Sequence, residues 1–130
     1  AKAVAAMVPG ASLVLDSAAI KSVVAASMEG VDYVHLATHG APDGIYLHAP
    51  TKKEGKMSMA DVQALHLRHA PLIVLSECNS FRGELRSDGI IGISRTFLAA
   101  GARTLVASLW PVDDDATCEL MQRFYSRLFK

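Results

Sequence analysis

The chain has 130 residues, of which 51% are apolar, so it is long enough for one domain with a continuous core and too short for two. Lysine plus arginine and aspartate plus glutamate each number 13, so the formal net charge is zero and no charge excess favours nucleic acid or an anionic membrane as a partner. No apolar run in the sequence approaches the roughly 18 residues of a membrane span, so we expect a soluble domain.

The cysteine content indicates the compartment. Cys78 and Cys118 are the two cysteines, too few for a disulfide framework. A reducing, intracellular environment is therefore expected, and we assign the domain to the cytoplasm. The sequence opens without Met and stops inside a helical pattern, so residues 1–130 are interpreted as one domain taken from a longer protein.

The N-terminal residues predict a strand followed by a helix. Ser12 to Leu15 is a short β-prone run, and Asp16 or Ser17 is suitably placed to cap the helix that follows. Gly30 is expected to end this helix. Its apolar stripe consists of Ile20, Val23 and Val24.

A second strand leads to the first residue of chemical interest. Val31 to Thr38 is rich in β-branched and apolar residues, which is typical of a strand covered on both faces. His39 and Gly40 follow directly, so a loop is expected to begin there. Ala41 to Gly55 is rich in turn-forming residues around a short apolar piece, and we interpret it as a loop or a hairpin.

The middle of the chain predicts a short helix and a central strand. Ser58 and Asp61 have the spacing of a capping box, which predicts a helix start. The stripe of this helix is Met59, Val62 and Leu65. Leu72 to Ser76 is almost wholly apolar, as expected for a central parallel strand, and it leads to Cys78.

The last third predicts helix, strand and helix. Helical spacing relates four apolar residues, Ile90, Ile93, Phe97 and Leu98. Gly101 is the expected C′ residue of that helix, Thr104 to Trp110 a strand, and Pro111 to Asp115 a turn with acidic capping residues. The final helix has the predicted stripe Ala116, Leu120, Met121, Phe124 and Leu128.

Alternation of strands and helices predicts an α/β fold, a three-layer sandwich with a mainly parallel sheet between helices. Ligands of such sheets bind beyond the carboxyl ends of the strands, where the predicted elements place Asp16, His39, Cys78 and Trp110. Adjacent strands lie about 4.8 Å apart, so His39 and Cys78 come within reach of each other if their strands are neighbours.

A histidine and a cysteine at one sheet edge suit nucleophilic catalysis. The thiolate is the reactive form of cysteine, and a nearby imidazole both favours that form and protonates the leaving amine. We therefore predict a dyad of His39 and Cys78. Backbone N–H groups at Gly40 and Cys78 are the candidate donors to the developing oxyanion. No phosphate-binding loop or Gly-x-Ser-x-Gly motif is present in the sequence, and no cofactor is predicted.

Four segments together resemble one family: HLATHG, LIVLSECNS, GIIGISRTFLAAGARTLVASLWPVDDDAT and LMQRFYSRL. They are similar to the CHAT domain, a relative of caspases and separase that is often found beside tetratricopeptide repeats, and the resemblance runs from Val31 to Leu128. It implies a caspase-hemoglobinase fold, a protein or peptide substrate, and tetratricopeptide repeats in the same chain. It also implies a dyad of His39 and Cys78 in a cysteine endopeptidase.

The resemblance further implies a pocket for the residue before the scissile bond, lined by Ser76, Trp110, Asp113 and Asp114. An acidic lining would favour Lys or Arg in the substrate. The two aspartates are equally well placed to cap the last helix.

Two other interpretations of the function stay open. Glu77 sets a carboxylate next to the cysteine, which disfavours a thiolate if the two face each other and so favours a catalytically silent interaction module in a large repeat protein. The other interpretation is a small-molecule binding domain with His39 as a polar contact.

The remaining thiol and imidazole groups have simpler interpretations. Cys118 is expected to be a packing or surface thiol, and His35 a core histidine with a hydrogen-bond partner. His66 and His69 follow a short helix without a cysteine or carboxylate in ligand spacing, so we interpret them as surface residues and predict no metal site.

Overall fold

The computed structural model describes residues 2–41, 44–76, 87–107 and 113–129. The helices in these ranges are α1 Lys2–Ala5, α2 Lys21–Met28, α3 Lys52–Gly55, α4 Met59–Gln63, α5 Ser87–Ala99 and α6 Asp114–Leu128, with a 3-10 helix at Asp16–Ala18. The strands are β1 Tyr33–Leu36, β2 His39–Ala41, β3 Gly44–Tyr46, β4 Lys56–Ser58, β5 Leu72–Leu75 and β6 Thr104–Ala107.

A parallel sheet of three strands forms the centre of the fold. Its order is β1-β5-β6, so β5 lies between the other two strands. The three consecutive residues Ile73, Val74 and Leu75 of β5 are all buried, and side chains of a strand alternate between its faces. The central strand is therefore covered on both faces, and the predicted α/β class with a parallel sheet is confirmed.

Two hydrophobic clusters lie against this sheet. The first cluster joins residues of β1 and β5 to helices α2, α4 and α5, and its members include Val24, Met28, Val34, Leu36, Val62, Ile73, Leu75, Ile93 and Phe97. The second cluster joins Val74 of β5 to α1 and α6 through Val4, Met121 and Tyr125. Neighbouring residues of β5 thus belong to different clusters, because the strand pleat turns them to opposite sides.

A second, antiparallel sheet extends from the end of β1. It has the order β2-β3-β4, and only Ala37 and Thr38 separate β1 from β2. Ile45 of β3 and Met57 of β4 are paired and fully buried in the first cluster. The hairpin interpretation of the segment after His39 is confirmed. The expected loop start at that residue is wrong, because His39 begins a strand.

The predicted N-terminal strand is also wrong. Ser12 to Leu15 forms no strand, and Asp16 begins a 3-10 helix instead of standing at a strand end. A β-prone run forms a strand only where a neighbouring strand pairs with it, and none of the described strands does. The capping prediction fails as well, because Ile20 is the N-cap of α2 and no side chain caps it. Helix α2 buries Val24 and Met28, whereas Ile20 and Val23 are exposed.

Local capping signals elsewhere are confirmed. Ser58 and Asp61 form the reciprocal capping box of α4, with the Ser58 N–H donating to the Asp61 carboxylate at 2.9 Å. Helix α5 ends in a Schellman motif, in which the Ala102 N–H bonds the Phe97 carbonyl oxygen at 3.1 Å and Gly101 has a φ of 122°. The left-handed backbone at that position favours glycine.

The buried face of α6 agrees with the predicted stripe only in part. Met121 of that stripe is buried and Phe124 packs against the second cluster, but Leu120 and Leu128 are exposed, and Tyr125 is buried instead. The helix carries two apolar stripes one residue apart, and periodicity alone does not choose between them. Tertiary contacts select the stripe that contains Tyr125, because this residue is part of the second cluster and its hydroxyl forms a hydrogen bond with His35 of β1.

Candidate functional site

The carboxyl ends of β1 and β5 lie side by side. Leu36 is paired with Leu75, and the Ser76 N–H donates to the Leu36 carbonyl oxygen at 2.9 Å, which extends the pairing one step beyond the strands. The condition set by the sequence analysis, that the strands leading to His39 and Cys78 are neighbours, is met. Cys78 itself lies outside the described residues, as does Glu77.

The register of β1 and β5 can be compared with the sequence separation of His39 and Cys78. Leu72 pairs with Tyr33 and Leu75 with Leu36, so paired residues of β1 and β5 are 39 positions apart in the sequence. His39 and Cys78 are also 39 positions apart, and each comes three residues after a member of the Leu36 and Leu75 pair. The sequence spacing of the predicted dyad therefore equals the strand register.

The backbone around His39 is held by pairing within the antiparallel sheet. His39 pairs with Tyr46 and Gly40 with Ile45, so β2 is fixed to a strand whose central residue is part of the first cluster. Gly44 allows β3 and β4 to approach closely, because a Cβ there would clash with the Met57 carbonyl oxygen. Gly44 thus helps to fix β3, the strand with which His39 is paired. The sequence analysis counted this glycine only among the turn-forming residues.

The residues predicted to line the substrate pocket are described in part. Ser76 is half-buried at the end of β5. Asp113 is exposed and caps α6, its carboxylate accepting a hydrogen bond from the Ala116 N–H at 3.0 Å. The capping role of Asp113 is thus confirmed. Trp110 lies outside the described residues, and for Asp114 the structure describes only its place at the start of α6.

A buried hydroxyl lies next to the predicted base. The Oγ1 atom of Thr38 is shielded from solvent and has no hydrogen-bond partner in the described parts of the chain. Sequence reasoning missed this feature, because a threonine near the end of a strand is usual and nothing local indicates whether its hydroxyl is buried. Thr38 immediately precedes His39 and belongs to the site by position.

His35 joins the central sheet to α6. Its Nδ1 atom forms a hydrogen bond of 3.0 Å with the hydroxyl of Tyr125, and the two rings meet edge to face. Burial lowers the pKa of His35 from 6.5 to about 4 and raises the pKa of Tyr125 to about 12, so both groups are neutral at neutral pH. The prediction of a core histidine with a partner is confirmed.

Acidification is expected to destabilise the fold through His35. The unfolded chain binds a proton near pH 6.5 and the folded chain only near pH 4, so stability is full above the first value and is lost as the pH falls toward the second. Between pH 7 and pH 5 the loss should be about 1 kcal/mol, because partial contact of the ring with water weakens the effect. Denaturant unfolding at both pH values measures it.

A His35→Gln variant provides the control for this pH effect, because it removes the titrating ring and leaves a polar side chain. The difference in unfolding free energy between the two pH values should shrink by the same amount in the variant. An unchanged difference would assign the acid sensitivity to other groups.

His66, His69 and Cys118 lie at the surface, as predicted. His66 and His69 are exposed, and His69 lies 3.5 Å from the Asp32 carboxylate. Cys118 is exposed on α6, and its sulfur accepts a hydrogen bond of 3.4 Å from the Gln122 amide. Within the described ranges, no three histidine, cysteine, aspartate or glutamate side chains come together as metal ligands would.

The helices of the described residues include none that is long and apolar enough to cross a membrane.

Comparison with known proteins gives one family. The family model of the CHAT domain matches residues 1–130. Tetratricopeptide repeat protein 28 of Mus musculus is 37% identical over 79 residues, and the protein of the same name from Homo sapiens is 38% identical over 79 residues. These alignments cover 61% of this chain and 3% of each relative, so the chain spans a small part of the curated relatives it matches.

Proposed function

Because this chain belongs to the CHAT domain family, we propose that it is a cysteine endopeptidase of the caspase and separase type, with His39 and Cys78 as its catalytic dyad. The observation that carries the proposal is the pairing of β1 with β5. Their carboxyl ends are adjacent, and their register equals the sequence separation of the two dyad residues. Ligand sites of parallel sheets lie at this edge.

The proposed chemistry uses the two side chains in turn. His39 favours the thiolate of Cys78, which attacks the carbonyl carbon of the scissile peptide and forms a tetrahedral oxyanion. The backbone N–H groups of Gly40 and Cys78 donate to that oxygen. The intermediate collapses as protonated His39 gives its proton to the leaving amine, which leaves a thioester on Cys78. His39 then takes a proton from a water that hydrolyses the thioester.

The proposed pocket for the residue before the scissile bond is formed by Ser76, Trp110, Asp113 and Asp114. Ser76 lies at the carboxyl end of β5, which supports its role. The capping bond of Asp113 leaves its carboxylate exposed, so capping the helix does not prevent it from lining the pocket. The acidic lining would favour Lys or Arg in the substrate.

The proposal extends to the architecture and the cellular setting. We assign a three-layer, caspase-hemoglobinase-like sandwich, which is supported by the presence of one hydrophobic cluster with its own helices for each side of β5. Residues 1–130 would form one CHAT domain of a longer, cytoplasmic chain that also carries tetratricopeptide repeats. Both relatives are named tetratricopeptide repeat protein 28 and are much longer than this chain, which supports the repeats, and the low cysteine content supports a reducing compartment.

Substrate profiling of the intact protein tests the proposed function. The wild-type protein should cleave peptides after Lys or Arg, and Cys78→Ala should reduce cleavage about a thousandfold or more because the acyl-enzyme cannot form. Mass spectrometry of a peptide library gives the cut sites, and kcat/KM gives the size of the loss.

The same profile separates the alternatives. Equal cleavage by the wild-type and Cys78→Ala proteins would rule out the dyad. If the wild-type protein cleaves no peptide of the library, the catalytically silent interaction module is favoured.

A further inference from the structure

Two segments meet at the amino ends of β5 and β6, on the side of the sheet opposite the proposed dyad. Residues 64–71 lead into β5, and residues 92–104 comprise the second half of α5 and the turn into β6. The Arg103 N–H donates to the Pro71 carbonyl oxygen at 3.0 Å, which joins one segment to the other. The two segments therefore form one surface, which we call the amino-edge surface.

The amino-edge surface is basic, although the formal net charge of the protein is zero. Neither segment contains an aspartate or a glutamate, and together they carry Arg68, Arg95 and Arg103. All three arginines are exposed, and none forms an ion pair with a side chain of the described residues. Asp32 contacts the border of the surface, where its carboxylate lies 3.5 Å from His69. The positive charge of the arginines is thus available to a partner.

An open depression lies within the amino-edge surface. Its volume is about 330 Å³, and it is lined by His66, Leu67, Arg68 and Ala100. The Leu67 N–H donates to the Ala100 carbonyl oxygen at 3.3 Å, which holds the two walls of the depression together. Leu98, two residues before Ala100, is 44% exposed. The surface therefore combines positive charge with a place for an apolar side chain.

Stabilisation of α5 does not account for this charge. A cation near the end of a helix interacts favourably with its last carbonyl groups, and Arg103 is placed for that role. The Schellman motif at Gly101 already satisfies carbonyl groups of the last turn. Arg95 precedes the last turn of α5, and Arg68 belongs to the other segment. The helix end thus involves at most one of the three arginines.

The chemistry of the surface indicates the kind of partner. Arginine is enriched at protein interfaces, and its guanidinium group bonds a carboxylate through two parallel hydrogen bonds. Single-stranded nucleic acid is bound through exposed aromatic rings on which bases stack. Phe97 is the one phenylalanine, tyrosine or tryptophan of the two segments, and it is fully buried. The surface therefore suits a peptide rich in carboxylates better than a nucleic acid.

We propose that the amino-edge surface binds an acidic peptide segment of a partner protein. Arg68 and Arg103 bond carboxylates of that segment, and an apolar side chain of the segment occupies the depression beside Ala100. The interaction goes beyond the proposed peptidase function, because the proposed dyad lies at the carboxyl ends of the strands. It gives the domain a recognition surface that does not depend on catalysis.

Fluorescence anisotropy with the intact protein tests this inference. The probe is a short fluorescein-labelled peptide of Asp and Glu around a central pair of leucines, and its matched control has Asn and Gln in place of the acidic residues. The acidic peptide should bind about tenfold more tightly than the neutral one, because hydrogen bonds between charged groups are stronger than those to an amide. Added salt should weaken the binding of the acidic peptide.

Variants that each remove positive charge locate the binding. Arg68→Gln and Arg103→Gln combined should weaken the binding of the acidic peptide about tenfold. Lys53→Gln removes a charge from an exposed residue of α3 and should leave the affinity unchanged. Cys78→Ala should bind the peptide as the wild-type protein does, so the result does not depend on the peptidase proposal. The unfolding temperature of the arginine variant should stay within about 3 °C of wild type.

Four results would refute the inference. The first is equal binding of the acidic and neutral peptides, and the second is an equal loss of affinity in Lys53→Gln and in the arginine variant. The third is tighter binding of a fluorescein-labelled oligouridine than of the acidic peptide, which would indicate a nucleic acid partner. The fourth is a lower unfolding temperature with unchanged affinity in the arginine variant, which would assign the arginines to the stability of the fold.

Discussion

Replacing His39 with alanine should reduce peptide cleavage by about a hundredfold to ten-thousandfold, because the variant loses the group that favours the thiolate and protonates the leaving amine. The alkylation of Cys78 by iodoacetamide at neutral pH should slow as well, by about tenfold. Cleavage is measured as kcat/KM on a peptide found by profiling. Alkylation is measured by mass spectrometry of the modified peptides.

The chain contains matched controls for this experiment. Cys118 is an exposed thiol on α6 and serves as an internal reference for alkylation within each sample. His66 is an exposed histidine that follows α4, and His66→Ala should leave both readouts unchanged. If the ratio of Cys78 to Cys118 labelling is the same with and without His39, the imidazole does not act on the thiol, and the silent-module interpretation gains support.

Sequence patterns predicted the features of this fold that depend on local physics. The apolar run of β5, the capping box at Ser58 and the Schellman glycine at position 101 each depend on residues close in the sequence, and the structure confirms all three. Alternating strands and helices predicted a parallel sheet, whereas the neighbouring placement of β1 and β5 was only a condition for the dyad, which the structure meets. The edge of the sheet at which the candidate site lies followed from that topology.

The predictions that failed depended on partners distant in the sequence. Ser12 to Leu15 has β-prone residues, but strand formation also requires a neighbouring strand, which no local pattern specifies. In α6, the apolar stripe through Leu120 competed with the one through Tyr125, and the second was selected by contacts with His35 and the second cluster. The buried hydroxyl of Thr38 was missed for the same reason, since its burial results from tertiary packing.

Some predictions for the candidate site are tested by the structure, and others are not. The segment with His39 forms β2, which begins two residues after β1, and the end of β1 is paired with the end of β5. The predictions for Cys78, Glu77 and Trp110 fall outside the described residues and stay predictions. The proposed dyad therefore depends on the strand register and the family, and the alkylation experiment addresses the thiol directly.

Gly44→Ala should destabilise the protein by about 2 to 3 kcal/mol, because overpacking against backbone cannot be relieved by a rotamer change. The added Cβ would clash with the Met57 carbonyl oxygen and would also lie 3.2 Å from the Ser58 Cα, so β3 and β4 would have to move apart. Ile45, which is fully buried next to Gly44 in β3, would shift with them. Denaturant unfolding measures the loss.

The same substitution should impair cleavage in molecules that remain folded. His39 is paired with Tyr46 of β3, so a displaced β3 alters the position of β2 and of the proposed base. Gly30→Ala is the matched control, because a Cβ at Gly30 meets no atom within 4 Å, and its effect should stay within about 0.5 kcal/mol. Equal stability and equal kcat/KM in the two variants would show that the close approach at Gly44 does not position His39. A loss confined to Gly44→Ala would instead tie the geometry of the catalytic edge to the packing of the antiparallel sheet.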